Sequence, residues 1–340
     1  MLTQRQEQIL RIVVDTYTNS GVPVGSRAIA DRHDVGFGPS TVRNEFAVLV
    51  SHGLLEQQHT SAGRRPTEAG YRYFVDEFLA SHPREPGHEA PPIELSLGHR
   101  EIGDAIRQTT ETLAGANELM ALISAPPLST EDILRVELIR LHARKVAVVV
   151  ITSSGSVTKR VFDFEQEVDN GLVLWATGYL NEILNGVPLG ARTTRTRLIA
   201  PDLPPTERGF VEAISAVFLE PPAGDDTLFV GGTGYLIGEG RGESIPRLDR
   251  LMSTLEERGT VLRILRARLD ERGVYLRIGH ENEVSELAGA SFVGANYGTH
   301  ARNLGSVNVV GPVRMDYPRA IASVRYAAAR LSDFVDDVYA

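Results

Sequence analysis

Residues 39–52 carry the side chains best suited to chemistry with another molecule. At 100° per residue, Ser40, Thr41, Arg43, Asn44 and Ala47 fall on or beside one face of a helix that opens at Pro39. An arginine guanidinium can meet both major-groove acceptors of a guanine, and an asparagine carboxamide can pair twice with an adenine. Serine, threonine and alanine are small enough to let a helix lie close to base edges. The opposite stripe, Val42, Phe46 and Leu49, is apolar and is expected to face a core. The same polar pattern also describes a solvated helix face, so the flanking elements must decide.

Those elements supply a scaffold. Thr3-Gln4-Arg5-Gln6 has the form of a capping box, and Ile9, Ile12, Val13 and Tyr17 follow at helical spacing until Gly21 and Pro23 end the run. Ser26 can cap a short second helix to about His33 that buries Ile29 and Ala30. Gly36, Gly38 and Pro39 then break the chain before the third helix, which ends near His52 and Gly53. Beyond it, Leu54 to Gln57 reads as a strand, residues 59–65 as a polar turn, and Pro66-Thr67 as the return. Three helices followed by a basic hairpin make a winged helix-turn-helix over residues 1–80. His59, Thr60, Ser61, Arg64 and Arg65 form the wing's contact set, with the two arginines at its tip facing phosphates or a minor groove.

Charge tests this reading. The formal net charge is −9, which argues against a polyanionic partner. Residues 1–74 hold eight arginines and seven acids, so this segment is +1 and the rest of the chain carries the acidity. Clustering on one face then matters more than the total. With no cysteine there is no disulfide or thiolate zinc site, which fits a reducing cytoplasm. Neither a signal peptide nor a membrane-length apolar run is evident, so a cytoplasmic protein without membrane contact is expected. Catalysis finds no support. There is no G-x-S-x-G, H-E-x-x-H or phosphate loop, and Gly231 to Gly234 lacks the spacing of a dinucleotide site. The nine histidines show no metal-ligand spacing, and no cofactor is expected.

The remaining chain reads as an α+β body. Residues 81–92 hold four prolines and form a stiff linker. Helical spacing returns from Leu97 to about Ile123 through Ile102, Ile106, Leu113 and Leu119. A strand alternating Leu134, Val136 and Leu138 follows, then a hairpin of Val146 to Thr152 with Val157 to Phe164. Gly273 to Gly279, Ala290 to Tyr297 and Leu304 to Gly311 are three further strands. A final helix from about Pro318 carries Ile321, Val324, Ala328, Leu331 and Val335 on one face. Strands at both ends of a helical middle suggest an antiparallel domain interrupted by an insertion.

Four segments then become recognisable: Val24-Gly25-Ser26-Arg27, Pro39 to Glu45, His59 to Arg64 and Gly70-Tyr71-Arg72-Tyr73-Phe74-Val75-Asp76. With Val309 to Tyr317 near the C-terminus, they resemble the heat-inducible transcription repressor family HrcA. Gly38, Gln58 and Val313 depart from the family's usual residues; glycine at an N-cap costs only a few tenths of a kcal/mol relative to serine. The resemblance implies a multidomain α+β fold. Its parts are the winged helix, a GAF-like α+β domain at 93–189 and 269–340, and an inserted α+β dimerisation domain at 190–268. That insert would contain Leu228 to Gly232 and the amphipathic stretch Leu248 to Leu269. The resemblance also implies a homodimer on double-stranded DNA at an inverted-repeat operator, CIRCE, in front of chaperone genes. It implies release on heat stress and modulation by the chaperonin GroEL. The alternative is a winged-helix regulator that senses a small ligand in its GAF-like domain, where Arg314 and Asp316 are either part of a site or a structural ion pair.

Overall fold

The computed structural model describes residues 2–31, 36–57, 63–82, 95, 102–126, 131–153, 155, 157–190, 192–198, 203–219, 228–237, 248–300 and 302–339. The N-terminal domain starts with α1 (Gln4–Ser20). Thr3 Oγ1 accepts from Gln6 N–H while the Gln6 side chain accepts from Thr3 N–H, and the helix ends at Gly21 with φ 68°. Next, α2 (Ser26–Ala30) is capped by Gly25 in extended geometry, so Ser26 is its first helical residue and not its cap. The helix ends at Ala30 with Asp31 as its C-cap, short of the expected His33; residues 32–35 lie outside the described residues. In α3 (Pro39–Ser51), Val42, Phe46 and Leu49 are buried as the spacing predicts. Strands β1 (Leu55–Glu56) and β2 (Arg65–Pro66) pair antiparallel, Leu55 opposite Pro66 and Glu56 opposite Arg65. Then α4 (Glu68–Ser81), capped by Thr67, closes the domain. From residue 83 the expected linker lies outside the described residues.

The body is organised by a five-stranded antiparallel sheet. It follows α5 (Ile102–Asn117) and begins with β3 (Met120–Ser124). The sequence spacing ran α5 on to Ile123, and the structure corrects this. Glu118 adopts φ 49°, which stops the helix, and all five residues of β3 are buried on both faces, so no alternation marks the strand. A second sheet follows: β4 (Ile133–His142), β5 (Lys145–Thr152) and β6 (Val157–Asp163), in that order. Leu134 is exposed, contrary to the expected alternation, because a register shift between Ile133 and Arg135 turns it outward. Helices α6 (Asn170–Leu184), α7 (Arg192–Leu198), α8 (Pro205–Ile214) and α9 (Ala216–Leu219) cover one face of this sheet. Their shared core includes Val136, Val148, Val150, Leu180, Phe210 and Phe218.

The chain then returns to the first sheet. β7 (Leu228–Gly231) pairs with β3. After it come α10 (Thr233–Ile237), α11 (Leu248–Glu256) and α12 (Arg258–Arg266), then β8 (Val274–Ile278), β9 (Ala290–Gly298), β10 (Asn303–Pro312) and α13 (Tyr317–Tyr339). The strand order is β7-β3-β10-β9-β8. On one face α5 and α13 pack against Ile123, Val293, Val307 and Val309; on the other α10, α11 and α12 pack against Leu122, Phe292 and Val310.

This packing relocates the insertion. Residues 131–219 form the unit with its own sheet and core, whereas Leu228–Gly231 is an edge strand of the main sheet and α11 and α12 belong to the main body. The boundary expected at 190–268 therefore cuts across both units. Hydrophobic periodicity located β4 to β6, β8 to β10 and α13, ran a helix through β3, and could not say which sheet each strand would join.

Candidate nucleic-acid interface

The third helix is held by its back and open on its front. Behind it, Glu45 bridges to α1, accepting from Gln6 Nε2 at 2.9 Å and pairing with Arg5 Nη1 at 3.4 Å. Phe46 is buried beneath. On the front, Ser40, Arg43, Asn44 and Ala47 are exposed and Thr41 is half-buried at the edge. Among the described residues, Arg43 and Asn44 make no side-chain hydrogen bond or ion pair. A buried stripe that fixes the helix and a polar stripe that remains available give a rigid rod whose donors and acceptors point outward. Nothing in local spacing marks Glu45 as a brace, because its partners lie some 40 residues away in sequence.

The wing differs from the sequence expectation. Arg65 does not sit at the tip: it is in β2 opposite Glu56, and its Nε donates to Glu56 Oε1 at 2.6 Å. Burial opposes its charge, but hydrogen bonds to Glu56 and Tyr17 prevail, so the guanidinium pKa is raised. Arg64 exchanges backbone hydrogen bonds with Val24, 2.8 Å in one direction and 2.9 Å in the other, and its guanidinium lies over the Phe46 ring at 5.9 Å. Gly63 makes this third ladder possible, because a Cβ there would stand 2.6 Å from the Pro23 and Val24 backbone. Both arginines thus lie at the base of the wing. His59, Thr60 and Ser61, expected between the strands, lie outside the described residues.

Arg314 and Asp316 do not form the structural pair considered from sequence. Asp316 Oδ1 accepts from Arg319 N–H at 3.0 Å at the start of α13, while Arg314 reaches the Tyr17 ring of α1 at 5.9 Å. Among the described residues, no group of three or more His, Asp or Glu side chains could hold a metal ion, and no helix is long and apolar enough to cross a membrane.

Comparison with known proteins covers nearly the whole chain. Residues 1–77 match the family model described as winged helix-turn-helix transcription repressor, HrcA DNA-binding, and residues 103–321 match that of the HrcA protein C terminal domain. The heat-inducible transcription repressor HrcA of Parafrankia sp. (strain EAN1pec) is 33% identical, over 98% of this chain and 99% of that protein. Its counterpart in Pseudarthrobacter chlorophenolicus is 34% identical, over 98% of each. A crystal structure described as that of a hypothetical protein shares the fold, with TM-score 0.71 and 22% identity over 99% of this chain and 100% of that one.

Proposed function

The chain belongs to the HrcA family of heat-inducible transcription repressors, and from that premise we propose that it represses chaperone operons as a cytoplasmic homodimer on an inverted-repeat CIRCE operator. The observation that carries this reading is the open stripe Ser40, Arg43, Asn44 and Ala47 on a helix whose opposite side is braced by Glu45 and Phe46. Arg43 and Asn44 read base edges, Ser40, Thr41 and Ala47 let the helix approach, and Arg64 with His59, Thr60 and Ser61 engages the backbone. Arg65 supports the hairpin from within.

One winged helix buries too little surface for tight specific binding, so two copies are required. The main body acts as the GAF-like domain, and the unit at 131–219 as the dimerising insert. The uncovered face of its sheet supports this. Ile139, Val157 and Val161 stand there at 50%, 63% and 43% exposure, with Ala147 between Ile139 and Val161 in the ladder. Arg135 and Glu137 lie on one edge strand and Lys159 on the other, a charge arrangement that a two-fold axis can pair with itself. GroEL maintains the binding-competent form, and heat releases the operator when the chaperonin is occupied elsewhere.

On the second reading, a small effector would sit against the main sheet. Beneath α11 and α12 the sheet face is filled by a hydrogen-bonded set: Tyr275 OH donates to Asn308 Oδ1 at 2.6 Å, and Asn308 Nδ2 donates to Ser306 Oγ at 3.0 Å. This occupancy favours the protein effector. The test is operator binding by fluorescence anisotropy, with GroEL and mild heating as variables. Heat-sensitive binding that GroEL preserves supports the proposal. Binding indifferent to both would return attention to a small ligand.

A further inference from the structure

The segment Gly70 to Asp76 lies in the helix that closes the winged helix, and Val309 to Tyr317 runs from β10 into α13 of the body; the structure brings the two together. Helix α4 presents Glu68, Tyr71 and Arg72 on one face at helical spacing. Arg72 Nε donates to Glu281 Oε1 at 2.7 Å, its Nη2 also pairs with Glu281 Oε2, and it reaches the Leu276 carbonyl of β8 at 3.1 Å. Glu68 accepts from the backbone N–H of His280 at 2.9 Å and lies 3.0 Å from His280 Nδ1. Between these charged contacts the Tyr71 and Tyr317 rings meet with centroids 5.6 Å apart. Tyr317 is held in turn by Ser291 Oγ at 2.8 Å and the Val313 carbonyl at 2.7 Å.

A third contact lies at the other end of the domain. Arg314 extends from the β10–α13 corner onto the C-terminal end of α1, over Tyr17 and against Gly21, where a Cβ would overlap its guanidinium. A cation at this end is favoured by the helix dipole. Beside it a cavity of about 300 Å³ opens between Thr18 and Asn19 of the winged helix and Asn117, Pro312 and Arg319 of the body. The apolar cores of the two parts meet through Tyr71 and Tyr317, and ion pairs and unfilled space flank that junction. The stripe on α3 stays exposed while this contact is made.

We infer that the His280–Glu281 turn and the segment 311–317 form a seat that fixes the winged helix on the body. Arg72, Glu281, Arg314 and Tyr317 are then positioning residues for operator recognition: they touch no DNA but set the direction and separation of the two α3 helices in a dimer. The inference rests on the dimeric operator reading above. A seated domain can match only one separation of half-sites, whereas an unseated one swings on its linker and accepts several.

The test uses the full chain with Arg72→Glu, Glu281→Arg, and the two combined. Binding is measured to operators whose half-sites are separated by the preferred spacer, by spacers changed by half a helical turn, and to a single half-site. Each single reversal is expected to weaken binding at the preferred spacer by about tenfold and to flatten the spacer preference, while single half-site affinity and dimer sedimentation hold. The combined swap restores the preference, which a merely misfolded variant would not do. Hydrogen exchange in residues 68–81 of the free protein is measured alongside and is expected to rise in each single variant and recover in the swap. Single variants that keep the wild-type spacer profile and exchange would overturn the seat, as would tighter operator binding, which marks the contact as inhibitory. A wild-type chain that binds no half-site at any spacing refutes the operator reading instead, and the exchange result still decides whether the seat exists.

Discussion

Helix α3 and the wing hairpin belong to one small domain and both carry arginine, yet they hold it in opposite ways. Arg43 stands exposed with its guanidinium unengaged among the described residues, on a helix anchored from behind by Glu45 and Phe46. Arg65 is locked in a strand against Glu56, and Arg64 lies half-buried over Phe46 with its backbone tied to Val24. The residue type is the same, but the energetic starting point differs. A free arginine can give all its donors to a base edge, whereas a committed one must first break an internal contact. On the proposed function, freedom of the side chain on a fixed backbone distinguishes Arg43 from the wing arginines, and basic character alone does not.

The largest expected effect tests whether the comparison matters only in a dimer. Ile139→Arg combined with Val161→Glu places charges on the uncovered sheet face of the 131–219 unit. The variant should sediment as a monomer and lose operator affinity by on the order of 100-fold or more, because two linked readers gain from avidity. A variant that stays dimeric with full affinity would place the interface elsewhere.

Arg43→Ala comes next. It should weaken operator binding by about 1–3 kcal/mol and relax the preference at one base position. Wild-type affinity in this variant would remove α3 as the reader and undo the contrast with the wing.

The two wing arginines sharpen the contrast. Arg64→Ala should weaken binding to all sequences alike and reduce the dependence of log affinity on log salt by about one. Arg65→Ala should leave that slope unchanged and lower stability by less than about 1 kcal/mol, since its ion pair with Glu56 is partly exposed. A wild-type salt slope in Arg64→Ala would mean that the wing's base does not meet phosphate.

How far the sequence revealed this arrangement depended on how local each cause was. The capping box at Thr3, the stop at Gly21 and the buried stripe Val42, Phe46 and Leu49 follow from neighbours in the chain and were legible. So were the six strands β4 to β6 and β8 to β10, and the apolar face of α13. The strand β3 was hidden because burial on both faces erases period-two patterning, and the outward turn of Leu134 because a bulge leaves no compositional mark. Sheet membership of Leu228–Gly231 is a tertiary choice, so the inserted unit was misplaced. In the candidate site the open stripe was legible, but the withdrawal of Arg65 depended on register, which one residue of shift reverses.

The smallest expected effect concerns acid. Burial alone would raise the Glu281 carboxyl, but hydrogen bonds from Arg72 and the Ile278 N–H, with the charges of Arg72 and Arg277, hold it below its ordinary value of 4.5. Glu68 and His280 lie in the same contact region. A carboxylate whose folded pKa is depressed contributes stability that is fully present above its unfolded pKa. That contribution is lost as pH falls through the folded value. The Glu281 contribution to docking should therefore be insensitive to pH from neutrality down to the ordinary carboxylate range and weaken below it. Comparing thermal unfolding of the wild-type chain with Glu281→Gln across pH isolates this contribution. The difference between them should be constant near neutrality and shrink toward zero in acid, because protonated Glu281 and glutamine then carry the same charge. No difference near neutrality would show that Glu281 acts through its shape and hydrogen bonds alone. The ionic half of the seat would then be immaterial, leaving Tyr71 and Tyr317 to hold the domain.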